Sequence, residues 1–208
     1  KICHKYSLTL INSRPSTSLQ RNLGLKKINK KTKFVMFLDD DIVFFKNSFI
    51  EMNKAIQQYK KDPKICGFGF NYIDKKKIKP TLLDKIKKYS FISFLNLYSN
   101  KAGVITKSGW QTKILNLKKD QTVEWIYTAA SIFKFKMIRD IRFDESFGSY
   151  SYLEDLDFSL KLKNKIFIPH MAKFNHPNTI ERNGFNFGFI EVRNRYLIVK
   201  KNNLVLTY

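Results

Sequence analysis

Residues 34–38 read Phe-Val-Met-Phe-Leu, a continuous apolar run, and Asp39-Asp40-Asp41 follow it directly. Five residues are too few for a helix, and no polar residue interrupts the run to mark a solvent side. It therefore predicts a strand buried on both faces. Such strands belong to α/β sheets with helices packed on each side. In open sheets of that class, ligands bind at the carboxyl ends of the strands, and here three aspartates stand at that end.

The rest of the chain supplies the other elements of an α/β fold. Residues 7–12 alternate and predict a strand, and Arg14-Pro15-Ser16-Thr17 predicts a turn. Residues 18–28 predict a short helix. Ser48 and Glu51 have capping-box spacing, and Phe49, Met52, Ile56 and Tyr59 form one helical face that ends at Asp62-Pro63. Residues 65–73 predict a strand with two glycines, residues 80–97 an amphipathic helix with a Lys-rich face, and residues 131–138 a strand. Residues 152–162 predict a helix through Leu153, Leu156 and Leu160, residues 165–169 a strand, and residues 186–200 a C-terminal helix. At 208 residues, with no linker or repeat, the chain is expected to form one domain.

Charge narrows the partners. Lys and Arg number 39 against 17 Asp and Glu, a net charge of +22, which favours an anionic partner or surface. Only seven of those cations are arginine, and the lysines are scattered, so the excess fits solvated faces or an anionic membrane surface better than nucleic acid. Apolar residues at 43% exclude a disordered chain. Cys3 and Cys66 form no disulfide framework, which makes a reducing, cytoplasmic setting the default expectation.

The acids are few and clustered. Eight of the 17 fall in two blocks, Asp39-Asp40-Asp41 and the group Asp144, Glu145, Glu154, Asp155 and Asp157. Packed carboxylates repel, so each block needs a cation or hydrogen-bond donors. Three aspartates after a strand suit Mg²⁺ or Mn²⁺ on a diphosphate, and equally an acidic turn in solvent. Glu154-Asp155 at a helix start suits a base kept ionised by helix-terminal N–H groups, although in isolation an ordinary acidic first turn is the commoner reading. Asp157 reads as structural. His176 stands before Pro177 in a loop, His4 and His170 read as ordinary histidines, and Arg193 and Arg195 read as a solvated helix face. Trp110 and Trp125, set among polar residues, fit either sugar stacking or packing.

Four motifs in order carry a resemblance: Ser18-Leu19-Gln20-Arg21-Asn22-Leu23-Gly24, then Phe37-Leu38-Asp39-Asp40-Asp41, then Phe143-Asp144-Glu145-Ser146-Phe147, then Tyr152-Leu153-Glu154-Asp155-Leu156-Asp157-Phe158. Together they resemble the family 2 glycosyltransferases. The resemblance implies the GT-A fold, a Rossmann-like, mixed and mostly parallel sheet flanked by helices. It further implies a donor-side part at about residues 1–75 and an acceptor and catalytic part at about residues 76–208. By the same resemblance Arg21, Asp39, Asp40 and Asp41 serve the nucleotide-sugar donor. Asp39, Asp41 and His176 hold the metal, with the register of the triple aspartate open. Asp155 is the base for inverting transfer, and Glu154 orients the acceptor or that base. Trp110 and Trp125 are the acceptor-side candidates. Two departures stand out. Thr128-Ala129-Ala130 occupies the place of a small glycine-rich turn, and the family's first nucleotide-binding unit has no counterpart. The resemblance therefore implies an N-terminally incomplete chain with roughly 60–90 further residues upstream.

The expected activity is transfer of a sugar from a nucleotide-diphospho-sugar to a hydroxyl of a glycan or lipid-linked acceptor. Surface polysaccharide or lipopolysaccharide synthesis is the expected setting, in the cytoplasm or at the inner face of the cell membrane, with Mn²⁺ or Mg²⁺ as cofactor. The alternatives are a basic module on anionic membrane or nucleic acid, and a metal-dependent nucleotidyltransferase or phosphohydrolase. Clustered acids at a strand end repel phosphate unless a metal intervenes, which argues against nucleic acid.

Overall fold

The computed structural model describes residues 2–74, 99–176 and 184–204. Its centre is a five-stranded sheet of β1 (Phe34–Leu38), β3 (Ile65–Gly69), β5 (Gln121–Val123), β6 (Ala130–Lys134) and β7 (Lys165–Ile168). The strand order is β1-β6-β3-β7-β5. A three-stranded sheet of β2 (Val43–Phe44), β8 (Lys173–Asn175) and β4 (Asn71–Tyr72), in that order, lies beside it. The described helices are α1 (Ile2–Lys5), α2 (Thr17–Lys27), α3 (Ser48–Tyr59), α4 (Phe135–Ile138), α5 (Glu154–Leu160) and α6 (Gly184–Lys201), with a 3₁₀ turn at Glu145–Phe147.

The mixed α/β class holds, but neighbouring strands are mostly antiparallel. Among the described residues, only β3 and β7 pair in parallel in the large sheet. β6 inserts antiparallel between β1 and β3, and β5 closes antiparallel on β7. β1, β3 and β7 thus share one direction while the strands beside them oppose it.

Both faces of the large sheet are covered. On one face Val35, Phe37, Phe133, Ile166 and Ile168 pack with Leu25 of α2, Ile138 of α4, Leu156 and Phe158 of α5 and Ile198 of α6. On the other, Phe68, Ala130, Ile132 and Phe167 pack with Met52 and Ala55 of α3 and with Phe174 of β8. Phe37 meets Phe133, Phe143 and Phe158 edge-on at 5.3–6.0 Å between ring centroids. β1 departs in part from its expectation: Val35 and Phe37 are buried, whereas Phe34 and Met36 are half-buried and Leu38 is exposed. Among the described residues β1 has one strand beside it, β6, and that edge position explains the difference.

Several boundaries differ from the sequence reading. Residues 7–12 form no strand: Leu8 and Leu10 are exposed, and the Leu8 N–H is spent on the Cys3 carbonyl. An alternating pattern makes a strand only where an edge receives it. The capping box at Ser48 and Glu51 is absent. Asn47 is the cap in a left-handed conformation, and the Ser48 hydroxyl donates instead to the Lys173 carbonyl at 2.6 Å, tying α3 to β8. Residues 65–73 divide into β3 and β4, which belong to different sheets. The strand expected at 131–138 stops at Lys134, where the chain turns into α4. There the buried Lys134 ammonium donates to the Tyr59 and Asp62 carbonyls at the end of α3. The amphipathic segment 80–97 lies outside the described residues.

Candidate active site

The two acid blocks meet through α2. Asp39 stands one residue past β1, its N–H bonded to the Ala129 carbonyl at 2.9 Å as a continuation of the β1–β6 ladder. Arg21, on α2, donates through Nη2 to Asp39 Oδ1 at 2.9 Å and through Nη1 to Glu154 Oε1. One guanidinium thus bridges carboxylates 115 residues apart in the chain and offsets their repulsion. The neighbouring Asn22 explains how α2 is held for this task. Its amide donates to the Phe143 carbonyl and accepts from the Phe143 N–H, both at 2.9 Å, and donates to Glu145 as well. The Arg-Asn pair of the first motif and the Phe-Asp-Glu loop of the third are therefore in direct contact.

Glu154 and Asp155 open α5 after two non-glycine residues with positive φ, Ser151 at 49° and Leu153 at 71°. That conformation costs on the order of 1 kcal/mol or more per residue and is kept only where surrounding contacts impose it. The Ser151 hydroxyl supplies one such contact, donating to the Gly148 carbonyl at 2.7 Å. Burial raises the Glu154 carboxyl above its ordinary value, although Arg21 pulls the other way. Asp155 is raised well above its ordinary value by burial and by the adjacent Glu154 charge, and this outweighs the 2.8 Å hydrogen bond from the Leu156 N–H. The expectation that helix-terminal N–H groups hold Asp155 ionised is corrected: desolvation dominates. Asp157 is structural as expected, buried between Lys161 and Lys201 at 2.6 and 2.8 Å.

Of the three aspartates, Asp39 and Asp41 are the two that stand beside His176. Donor atoms of Asp39, Asp41 and His176 lie within 4.8 Å of one another, and His176 Nε2 is 2.7 Å from Asp41 Oδ1. Asp40 is exposed and outside this group. Two carboxylates and an imidazole are a donor set that could hold a divalent cation, with the remaining positions open to phosphate oxygens or water.

A cavity of about 610 Å³ joins these groups; Arg21, Asp39, His176, Glu154 and Asp155 all line it. That volume suits a sugar nucleotide or a disaccharide. Trp110 lines it with half its surface exposed. Trp125 contributes to the wall but belongs to the core, its indole N–H donating to the Thr112 carbonyl at 2.9 Å. Arg195, read from sequence as solvated, is buried: it bonds Gly109, Gln111 and Glu191 and lies over Trp110. The sequence reading missed it because a helical arginine looks the same from either side until its neighbours are known. It also missed Thr128, whose hydroxyl reaches Glu154 at 3.4 Å, and Tyr127, whose hydroxyl is made a weaker acid by burial and by the Asp155 charge. His170 lies elsewhere, paired with Asp120 at 2.6 Å.

No protein-family model matches the chain, and no curated protein matches it. Among the described residues, no helix is long and apolar enough to cross a membrane.

Proposed function

We propose that the chain is an inverting glycosyltransferase of GT-A type that moves a sugar from a nucleotide-diphospho-sugar to a hydroxyl acceptor. The observation that carries this reading is the convergence, in one 610 Å³ cavity, of Asp39 at the end of β1, Arg21 of α2 and Glu154-Asp155 at the start of α5. Asp155 is the base. A carboxyl whose proton affinity is raised by burial accepts the hydroxyl proton better than an ordinary exposed carboxylate does. Glu154 is occupied by its ion pair with Arg21, which leaves Asp155 as the acceptor of the proton. Asp39, Asp41 and His176 would hold the divalent cation, and their mixed oxygen and nitrogen donors suit Mn²⁺ better than Mg²⁺. The cation, when bound, offsets the charge that develops on the departing diphosphate.

The net charge of +22 favours work beside anionic membrane, as synthesis of lipid-linked or surface glycans requires.

The test is incubation of the chain with UDP-, GDP- and dTDP-sugars, Mn²⁺ and a mixture of glycan acceptors. Nucleotide diphosphate and glycosylated product are read by mass spectrometry. Sugar transfer that Asp155→Asn abolishes is the expected result. Release of phosphate or pyrophosphate without sugar transfer would replace this reading with a phosphohydrolase or nucleotidyltransferase.

A further inference from the structure

The cavity carries a second constellation apart from the two acid blocks. Trp110 lines it with 52% of its surface exposed, although an indole is normally among the most buried side chains. It is nonetheless held rigidly. The Arg195 guanidinium lies over the indole, 3.7 Å from the ring centroid. That guanidinium is itself fixed, with Nη1 donating to Gly109 O at 2.7 Å and Gln111 Oε1 at 3.0 Å, and Nη2 donating to Glu191 Oε1 at 3.1 Å. The Trp110 backbone is pinned too, its carbonyl accepting from the Thr106 N–H at 2.8 Å and its N–H donating to the Thr106 hydroxyl at 3.1 Å. Gly109 has φ of +75°, and a Cβ there would lie 2.9 Å from a Val199 methyl, so glycine lets the loop lie close against α6.

Stability alone does not account for this arrangement. Arg195 is nearly buried, and its Nε is enclosed with no hydrogen-bond partner among the described residues. Leucine or methionine would pack on α6 without that cost. What the cost secures is a flat apolar ring, covered on one face and presented to the cavity. Gln111 and Glu191 line the same cavity beside it.

We propose that Trp110, clamped by Arg195, is the platform on which a pyranose ring of the acceptor stacks, so that the acceptor is a saccharide rather than a bare lipid alcohol or a protein side chain. This rests on the glycosyltransferase reading of the same cavity. A β-pyranose presents H1, H3 and H5 as an apolar face that suits an indole, through dispersion and removal of apolar surface from water. Its ring hydroxyls point outward from that face, where the Gln111 amide and the second Glu191 oxygen can receive them. Arg195 acts through Trp110 and is a positioning residue.

The experiment uses the full chain. It has two tryptophans, Trp110 exposed and Trp125 only 1% exposed, so a fluorescence response to added sugar that Trp110→Phe removes reports Trp110. Methyl β-glucoside and methyl β-galactoside are titrated, and saturation-transfer NMR is recorded on the same samples. The expected result is a saturable response to at least one glycoside, with the strongest transfer at H1, H3 and H5. Trp110→Phe keeps part of the NMR response, and Trp110→Ala weakens binding by about tenfold. Arg195→Lys loosens the platform, seen as lower Trp110 fluorescence anisotropy and easier acrylamide quenching in a chain whose circular dichroism is unchanged. No saturable response to either glycoside, or undiminished glycoside binding by Trp110→Ala, overturns the proposal. UDP and GDP binding with Mn²⁺ is measured in parallel. Glycoside stacking without nucleotide binding would sink the glycosyltransferase reading and leave the platform standing. Nucleotide binding with glycoside binding indifferent to Trp110→Ala would do the reverse.

Discussion

Glu154 and Asp155 are adjacent carboxylates with one arginine between them and the next acid, and the sharing is unequal. Arg21 bonds Glu154 and Asp39, while the Asp155 carboxylate accepts the Leu156 N–H. Asp155→Asn keeps the shape and removes the proton acceptor, so transfer should fall by on the order of 10²–10⁴ while nucleotide-diphosphate affinity holds. Initial rates and calorimetry check the two halves. Stability should move the opposite way. The folded state raises the Asp155 carboxyl above the free value of about 4, so it favours the protonated form and loses stability as pH climbs through that raised value. Asparagine carries no such cost. The variant should melt higher than the parent at pH 8, and the gain should vanish toward pH 4, where both side chains are neutral. Melting curves across that range would refute the assignment if the gain were largest at low pH. In the parent, the transfer rate should rise with pH through an inflection above the ordinary carboxylate range, since the base works ionised.

At the scale of elements, the site depends on contacts that join α2, β1 and α5. Asn22 is buried and makes two hydrogen bonds to the Phe143 backbone besides one to Glu145. Asn22→Ala strands a buried carbonyl and a buried N–H, and should cost roughly 2–4 kcal/mol, read from urea denaturation midpoints at constant m-value. In β3 a Cβ on Gly67 would lie 2.6 Å from the Phe133 ring and 2.8 Å from the Ile132 carbonyl oxygen. The ring can shift but the neighbouring strand's carbonyl cannot, so Gly67→Ala should cost about 1–3 kcal/mol by the same measurement. Elements whose local pattern agreed with their packing were legible in the sequence, namely α2, α3, β7 and α6, and β1 was legible as a strand though not in its burial. The failures have physical causes. Leu8 and Leu10 alternate but face solvent, and Ser48 has the spacing of a cap but spends its hydroxyl on β8. A hydrogen bond to a residue 125 positions away leaves no trace in local spacing. The strand partners were illegible for the same reason, because nothing in residues 130–134 announces that they insert antiparallel between β1 and β3. Within the site, scarce carboxylates and a motif order pointed to Arg21, Asp39, Glu154, Asp155 and His176, which line one cavity, and to Asp41, which pairs with His176 at its side. Arg195 and Trp125 were not readable because only tertiary packing decides which face of a helix or loop is covered.

At the scale of the molecule, the candidate metal group ties the two sheets together. Asp39 follows β1 of the large sheet, whereas Asp41 leads into β2 and His176 follows β8, both of the small sheet. The chain also carries a net charge of +22, so these few acids form a local anionic site on a strongly basic molecule. A cation bound there would hold the folded arrangement and have no comparable site in the unfolded chain, where residues 41 and 176 are far apart in sequence. By mass action, Mn²⁺ at a hundred times its dissociation constant adds about 2.7 kcal/mol of stability. For a chain of this length, each kcal/mol moves the melting temperature by roughly 2–4 °C, so Mn²⁺ should raise it by roughly 5–11 °C. EDTA should reverse the shift. Asp41→Ala and His176→Ala should each remove most of it and weaken nucleotide-diphosphate binding in parallel, whereas Asp40→Ala, altering an exposed residue outside the group, should leave both nearly intact. Differential scanning fluorimetry with and without Mn²⁺, followed by calorimetry with UDP or GDP in chelator, makes the comparison. Equal nucleotide affinity in chelator, or a metal shift that survives Asp41→Ala, would show that Asp39, Asp41 and His176 are an acidic turn with a paired histidine and not a metal site.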